Sequence, residues 1–111
     1  MKCGVSTACF YPEETLQGLS CLSNLGVSCV EVFLNTFCEL SPEYANRIGL
    51  CLRQNNMHIS ALHPFTSGME TFFFATDYPT RIEDGYTLYR RYFSFCQMLH
   101  IPRFVFHGMH K

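Results

Sequence analysis

The sequence predicts an α/β fold in which strands and helices alternate in the order β-α-β-α-β-α-β. Four short segments rich in β-branched and apolar residues alternate with three segments whose apolar residues recur at helical spacing. Pro and Gly stand at many of the boundaries between the two kinds of segment. A helix between consecutive strands favours parallel strands that are joined by helical crossovers.

The first part of the chain predicts two strands and the helix between them. Residues 2–7 are a short strand candidate, and residues 28–34 are apolar and β-branched, which favours a buried strand. Residues 13–25 predict a helix that stops at Gly26. The residues on one stripe of this helix are Leu16, Leu19, Leu22 and Leu25.

The second helix and the third strand have clear boundaries. Ser41 can cap a helix whose first position is Pro42, and Asn55-Asn56 end it. The third strand covers residues 59–62. Alternation along it predicts that Ile59, Ala61 and His63 share one face.

A loop of about twenty residues follows, with Phe72-Phe73-Phe74 within it. A third helix is predicted over residues 84–99, and a fourth strand over residues 103–106. The inward residues expected on this helix are Tyr89, Tyr92, Phe93, Cys96 and Leu99.

Composition excludes several classes of function. Lys and Arg number 8 against 9 Asp and Glu, a formal charge of −1, so nucleic acid is not expected as a partner. No apolar run approaches the ~18 residues of a membrane span, and no secretory signal is recognised. The 7 cysteines have no CxxC spacing, which favours reduced thiols in a cytoplasmic protein. Charged residues are 15%, below the roughly 25% of soluble domains, so part of the surface is expected to be covered.

Three polar residues lie where the predicted strands carry chemistry. Glu31 interrupts an apolar strand, while His63 and His107 follow the third and fourth strands directly. In parallel α/β proteins, functional sites lie at the carboxyl ends of the strands. Large apolar residues belong against the helices, which places all three side chains on the helix-free face. Imidazole and carboxylate groups are ligands of Zn²⁺ and Mn²⁺, so the pattern predicts a site there.

The aromatic run after the third strand is a second candidate feature. Phe73 lies at its centre and is a candidate wall of a substrate pocket. Packing of the loop on its own core is the alternative explanation of the same run.

Together these segments resemble the xylose isomerase-like sugar phosphate isomerase/epimerase family. The resemblance runs over essentially the whole chain. It is carried by Val30-Glu31-Val32-Phe33, by Ala61-Leu62-His63-Pro64 and by Phe104-Val105-Phe106-His107-Gly108. It implies the first half of a (β/α)8 TIM barrel, with a divalent metal (Zn, Mn or Mg) and a sugar or sugar phosphate as the small-molecule substrate. It further implies that His63 and His107 bind the metal, and that Glu31, His63 and Phe73 contact the substrate.

The resemblance also implies a limit on activity. A (β/α)8 barrel needs about 250 residues, and this chain has 111. In such isomerases the carboxylates that hold the metal and move the proton come mainly from the later strands. We therefore expect the chain to be inactive by itself.

Three alternatives stay open at this point. The first is a non-catalytic half-barrel that associates with itself or a partner through its open strand edges. The second is a fragment of an endonuclease IV-like phosphodiesterase, which the charge of −1 disfavours. The third is a complete flavodoxin-like domain, which needs helices on both faces of the sheet.

Overall fold

The chain folds into a mixed α/β structure with three parallel strands. The computed structural model describes residues 3–108. Its sheet has the order β1-β2-β3, which confirms the predicted α/β class with parallel strands. In chain order the strands and α-helices are β1 (Val5–Ser6), α1 (Thr15–Asn24), β2 (Cys29–Phe33), α2 (Pro42–Asn55), β3 (His58–His63), α3 (Glu70–Phe74) and α4 (Pro79–Met98).

The hydrophobic core lies between one face of the sheet and the helices. Val30, Val32 and Leu62 point into it and are fully buried. They join apolar residues of α1, α2 and α4 in a single cluster. On the other face of the sheet, Glu31 and His63 are only half-buried. Within residues 3–108 the helices therefore cover one face of the sheet, which disfavours the flavodoxin-like alternative.

A one-residue bulge sets the register between β2 and β3. Val30 pairs with Ile59, but Glu31 pairs with Ala61, so Ser60 is the extra residue. The Ser60 hydroxyl donates to the carbonyl oxygen of Val30 at 3.1 Å. Ile59 consequently faces the core, and the prediction that it shares a face with Ala61 and His63 was wrong.

The predicted boundaries of the second helix are confirmed, whereas the first helix begins at Thr15 rather than at residue 13. The Ser41 hydroxyl accepts the backbone N–H of Tyr44 at 3.2 Å, with Pro42 at the start of α2. Asn56 ends that helix with φ 53°, a left-handed conformation that suits Asn. Gly26 follows α1 with φ 78°.

The segment between β3 and α4 is more ordered than the sequence predicts. Residues 67–69 form a 3₁₀ turn that continues into α3, so the expected loop of twenty residues was wrong. The last helix begins at Pro79 rather than at residue 84, because proline suits a first helical position. Phe93 is 48% exposed, against the prediction that it points inward. None of the helices in the described part combines the length and apolarity needed to cross a membrane.

Both outer strands are shorter than predicted. The first strand was predicted over residues 2–7, of which residue 2 lies outside the described part. β1 spans only Val5–Ser6, because the chain continues from Thr7 as a 3₁₀ helix. The Thr7 hydroxyl instead accepts the backbone N–H of Phe33 at 2.9 Å. The predicted strand 103–106 makes one parallel bridge, between Leu62 and Phe104. This segment still lies beside β3, so the carboxyl ends of the four segments share one edge.

The contact between α3 and α4 depends on the absence of a side chain at Gly85. A Cβ atom there would lie 2.8 Å from the Phe73 Cβ and 2.9 Å from the Phe74 ring. We predict that Gly85→Ala lowers the free energy of unfolding by roughly 1–3 kcal/mol through overpacking. Helix propensity alone would raise it by about 1 kcal/mol. Chemical denaturation measures the sign.

Gly68→Ala is the matched control, because nothing lies within 4 Å of the added Cβ atom. We expect this variant to unfold at a denaturant concentration close to that of the wild type. A stabilised Gly85→Ala protein would contradict the described packing of α3 on α4.

Candidate functional site

The candidate site lies at the carboxyl end of the sheet, on the face that the helices leave open. Phe33 ends β2 and pairs with His63, which ends β3. His107 follows three residues after the bridge at Phe104 and reaches the same place. Of the residues that the sequence singled out, the structure therefore brings His63 and His107 together.

The two imidazole rings face each other through their Nε2 atoms. The distance from His63 Nε2 to His107 Nε2 is 2.9 Å, and the rings meet edge to face with centroids 4.9 Å apart. This is the distance of an N–H···N hydrogen bond, with one ring as donor and the other as acceptor.

Phe33 fixes the plane of the His63 ring from the other side. The two rings are stacked, with centroids 4.6 Å apart and an interplanar angle of 23°. The Nδ1 atom of His63 is buried, and no partner for it is found within the described residues. His63 thus presents Nε2, and not Nδ1, to the open face.

The pair fits two of the ligand positions of a divalent metal ion. Two nitrogen atoms bound to one ion at about 2.1 Å lie roughly 3.0–3.4 Å apart in adjacent octahedral or tetrahedral positions. The observed 2.9 Å between the Nε2 atoms is close to the shorter value. Within residues 3–108, however, no group of three or more His, Cys, Asp or Glu side chains is arranged around one point. Any further ligands would come from water, from the substrate or from residues other than these two histidines.

Glu31 shares the open face but does not complete the cluster. It pairs with Ser6 of β1 and Ala61 of β3, and it is half-buried. It lies two residues before Phe33, which corresponds to about 6.6 Å along the strand. Glu31 can therefore contact a ligand that extends over the sheet from the histidine pair.

Phe73 lies elsewhere. Its ring is buried and contacts the rings of Phe72 and Phe74, while its Cβ faces Gly85 of α4. Its placement agrees with the alternative explanation, in which the aromatic loop packs on its own core. A direct contact between Phe73 and substrate stays a prediction.

Two buried carboxylates at the same end of the sheet were not singled out by the sequence. Glu70, the first residue of α3, accepts the Tyr89 hydroxyl at 3.0 Å and the backbone N–H of Gly108 at 2.6 Å. Burial, and then the hydrogen bond to Glu70, raise the pKa of Tyr89. An acidic residue at the head of an aromatic run was the signal that could have identified it.

Glu39 holds the loop after β2 in the same manner. Its carboxylate accepts the backbone N–H of Asn35 at 2.6 Å, the Thr15 hydroxyl at 3.1 Å and the Tyr44 hydroxyl at 3.4 Å. The Thr15 hydroxyl is also 3.1 Å from the carbonyl oxygen of Phe33, the residue that stacks on His63. This network therefore connects the Glu39 carboxylate, through Thr15, to the backbone of Phe33 at the site.

The Glu39 network predicts a loss of stability in alkali. Burial, and then the Glu39 carboxylate, raise the pKa of Tyr44 from 10.0 to about 12. Because the pKa of Tyr44 is higher in the folded state, its contribution to the free energy of unfolding is complete below pH 10. This contribution is lost as the pH rises through about 12. We predict that Tyr44→Phe removes roughly 2 kcal/mol of the fall in unfolding free energy over this range. Urea unfolding at several pH values measures it.

Tyr11→Phe is the control, because Tyr11 is 76% exposed. It should keep the full alkaline loss of the wild type. Equal pH profiles for the wild type and Tyr44→Phe would show that this hydroxyl is not buried beside Glu39.

Comparison with known proteins adds no family assignment. No protein-family model matches this chain, and no curated protein matches its sequence.

Proposed function

We propose that this chain forms the first four strands of a (β/α)8 barrel of the sugar phosphate isomerase/epimerase type, with a divalent metal ion on His63 and His107. One observation carries the proposal. The Nε2 atoms of these residues lie 2.9 Å apart at the carboxyl ends of adjacent parallel segments. Sites of (β/α)8 enzymes lie at that end of the strands.

The distribution of burial supports the barrel. One face of the sheet carries the helices, and the other presents half-buried residues such as Glu31, Phe33 and His63. A sheet with helices on one side only resembles the wall of a barrel, whose inner face is covered by the strands opposite. The low content of charged residues, 15%, agrees with an inner face that other strands cover.

The proposed substrate is a small sugar or sugar phosphate. A divalent ion, when bound, would stabilise the negative charge that develops on the substrate oxygens during proton transfer. The histidine pair would hold the ion at a fixed point on the sheet, and Phe33 would keep the His63 ring in the orientation for binding. Glu31 would contact the substrate from the same face. The net charge of −1 argues against a nucleic-acid substrate.

The location that we propose is the cytoplasm. All 7 cysteines are free in the structure, and 3 of them are exposed. Exposed thiols in the reduced form are typical of reducing compartments.

Self-association is the second candidate function, and one surface favours it. An aromatic groove of about 360 Å³ opens beside the segment that follows α4. Three of its rings, Tyr86, Phe93 and Phe106, are about half exposed. A second half-barrel that paired with this strand edge would cover the groove. The groove is lined by Phe74, Tyr86, Tyr89, Phe93, Phe104 and Phe106.

The histidine pair predicts metal binding in the isolated chain. We expect Zn²⁺ to bind, and His63→Ala or His107→Ala each to lower the affinity by at least about tenfold, because each removes one of two protein ligands. Isothermal titration calorimetry measures the affinity. All variants keep the seven cysteines, so the difference from the wild type isolates the imidazoles.

His58→Ala is the matched control. His58 is exposed and begins β3, at the opposite end of the strand from His63. Its removal should leave the affinity unchanged. An equal loss of affinity in all three variants, or none in any, would refute the proposed metal site.

We further predict that the 111-residue chain does not catalyse isomerisation. The reason is that in the proposed family the carboxylates that hold the metal ion and move the proton come mainly from the later strands of the barrel, and the first four strands do not supply them. The assay uses ketose and ketose-phosphate substrates with Zn²⁺, Mn²⁺ or Mg²⁺, and the His63→Ala/His107→Ala double variant gives the background. Metal-dependent turnover by the wild type above that background would show that the chain is sufficient for catalysis.

A further inference from the structure

We propose that Glu70 is a positioning residue that holds His107 against His63 through the backbone N–H of Gly108. The proposal deepens the proposed metal site and rests on it for the expected loss of metal affinity. The contact between the two histidines is a property of the metal-free protein and can be measured separately.

The carboxylate of Glu70 links two parts of the chain that are distant in sequence. The side chain is fully buried. One oxygen, Oε1, accepts the Tyr89 hydroxyl of α4 at 3.0 Å, and Oε2 accepts the Gly108 N–H at 2.6 Å. The distance of 2.6 Å between the Gly108 nitrogen and Oε2 is short, as in charge-assisted hydrogen bonds. Gly108 is thereby tied to the start of α3.

The His107 ring depends on this tie because it is itself exposed. Its described ring contact is with His63, and the last described backbone pairing before it is from Val105 to Leu62. Gly108 has φ 77°, which residues with a side chain rarely adopt. The residue whose N–H contacts Glu70 therefore has a backbone conformation that favours glycine.

The other side of the carboxylate is rigid. α3 packs on α4 so closely that no Cβ atom fits at Gly85, and Tyr89 lies one turn further along α4. Burial of a carboxylate is costly unless hydrogen bonds satisfy it. Here both donors serve to connect the 107–108 segment to the helices. An apolar residue would fill the space without making that connection.

The test compares four variants of the full chain. Glu70→Met keeps the size of the side chain and removes both acceptors. Glu70→Gln can still accept the Gly108 N–H through its oxygen and donate to the Tyr89 hydroxyl through its nitrogen. Gly108→Pro removes the donor and also changes the backbone at this position, because proline fixes φ near −65° and Gly108 has φ 77°. Thr66→Val is the control, because it removes another buried hydrogen bond, 2.9 Å from Thr66 to Tyr92, that does not involve Glu70 or Gly108.

Two readouts are used on each variant. The first is the nuclear Overhauser effect between the ring protons of His63 and His107 in the metal-free protein. The second is the Zn²⁺ affinity. We expect Glu70→Met and Gly108→Pro to lose the Overhauser effect and to bind Zn²⁺ about 10–100-fold more weakly, as for other residues that orient a metal ligand. Glu70→Gln and Thr66→Val should behave as the wild type in both readouts.

The double variant Glu70→Met/Gly108→Pro separates positioning from general destabilisation. If Glu70 acts through the Gly108 N–H, the double variant binds Zn²⁺ no more weakly than Gly108→Pro alone. Additive losses, or an intact Overhauser effect in folded Glu70→Met, overturn the proposal. Should Glu70→Met fail to fold, an intact Overhauser effect in Gly108→Pro overturns it equally. A wild type that binds no Zn²⁺ refutes the proposed metal site, while the Overhauser comparison still decides the role of Glu70.

Discussion

The one-residue bulge in β3 determines which side chains of this sheet face the helices and which face the open side. Ile59 and Leu62 are both buried in the core although they are three residues apart, which regular alternation does not allow. Ser60 supplies the extra residue and bonds to the Val30 carbonyl at 3.1 Å. In a regular strand that buried Ile59, His63 would also enter the core. The bulge thus allows both Ile59 and Leu62 to be buried in the core while His63 faces the open side.

Two buried carboxylates then organise the loops that surround the exposed face. Glu39 gathers the Asn35 N–H and the Thr15 and Tyr44 hydroxyls after β2, and Glu70 connects α3 and α4 to the segment after Phe104. In both cases a buried carboxylate accepts a hydrogen bond from the backbone of an irregular segment and another from a side chain of a helix, and so joins the two. Loops at a site become rigid in this way without a further layer of core residues.

The sequence was sufficient for the parallel order of the strands and for the capped ends of α2, because apolar periodicity, Ser41 and Asn56 are local signals. It also placed His63 and His107 at one edge, since the carboxyl ends of parallel strands coincide. It missed the bulge at Ser60, because a bulge is decided by pairing between strands rather than by composition. It missed Glu70 because both of its donors, Tyr89 and the Gly108 N–H, are remote in sequence.

The central claim is that the facing Nε2 atoms of His63 and His107 form one binding point for a divalent ion. Anomalous diffraction from crystals grown with Zn²⁺ tests it most directly, because the ion is located independently of any assay. We predict an anomalous peak about 2.1 Å from both Nε2 atoms. A peak at the cysteines alone, or no peak between the two imidazoles, would contradict the account.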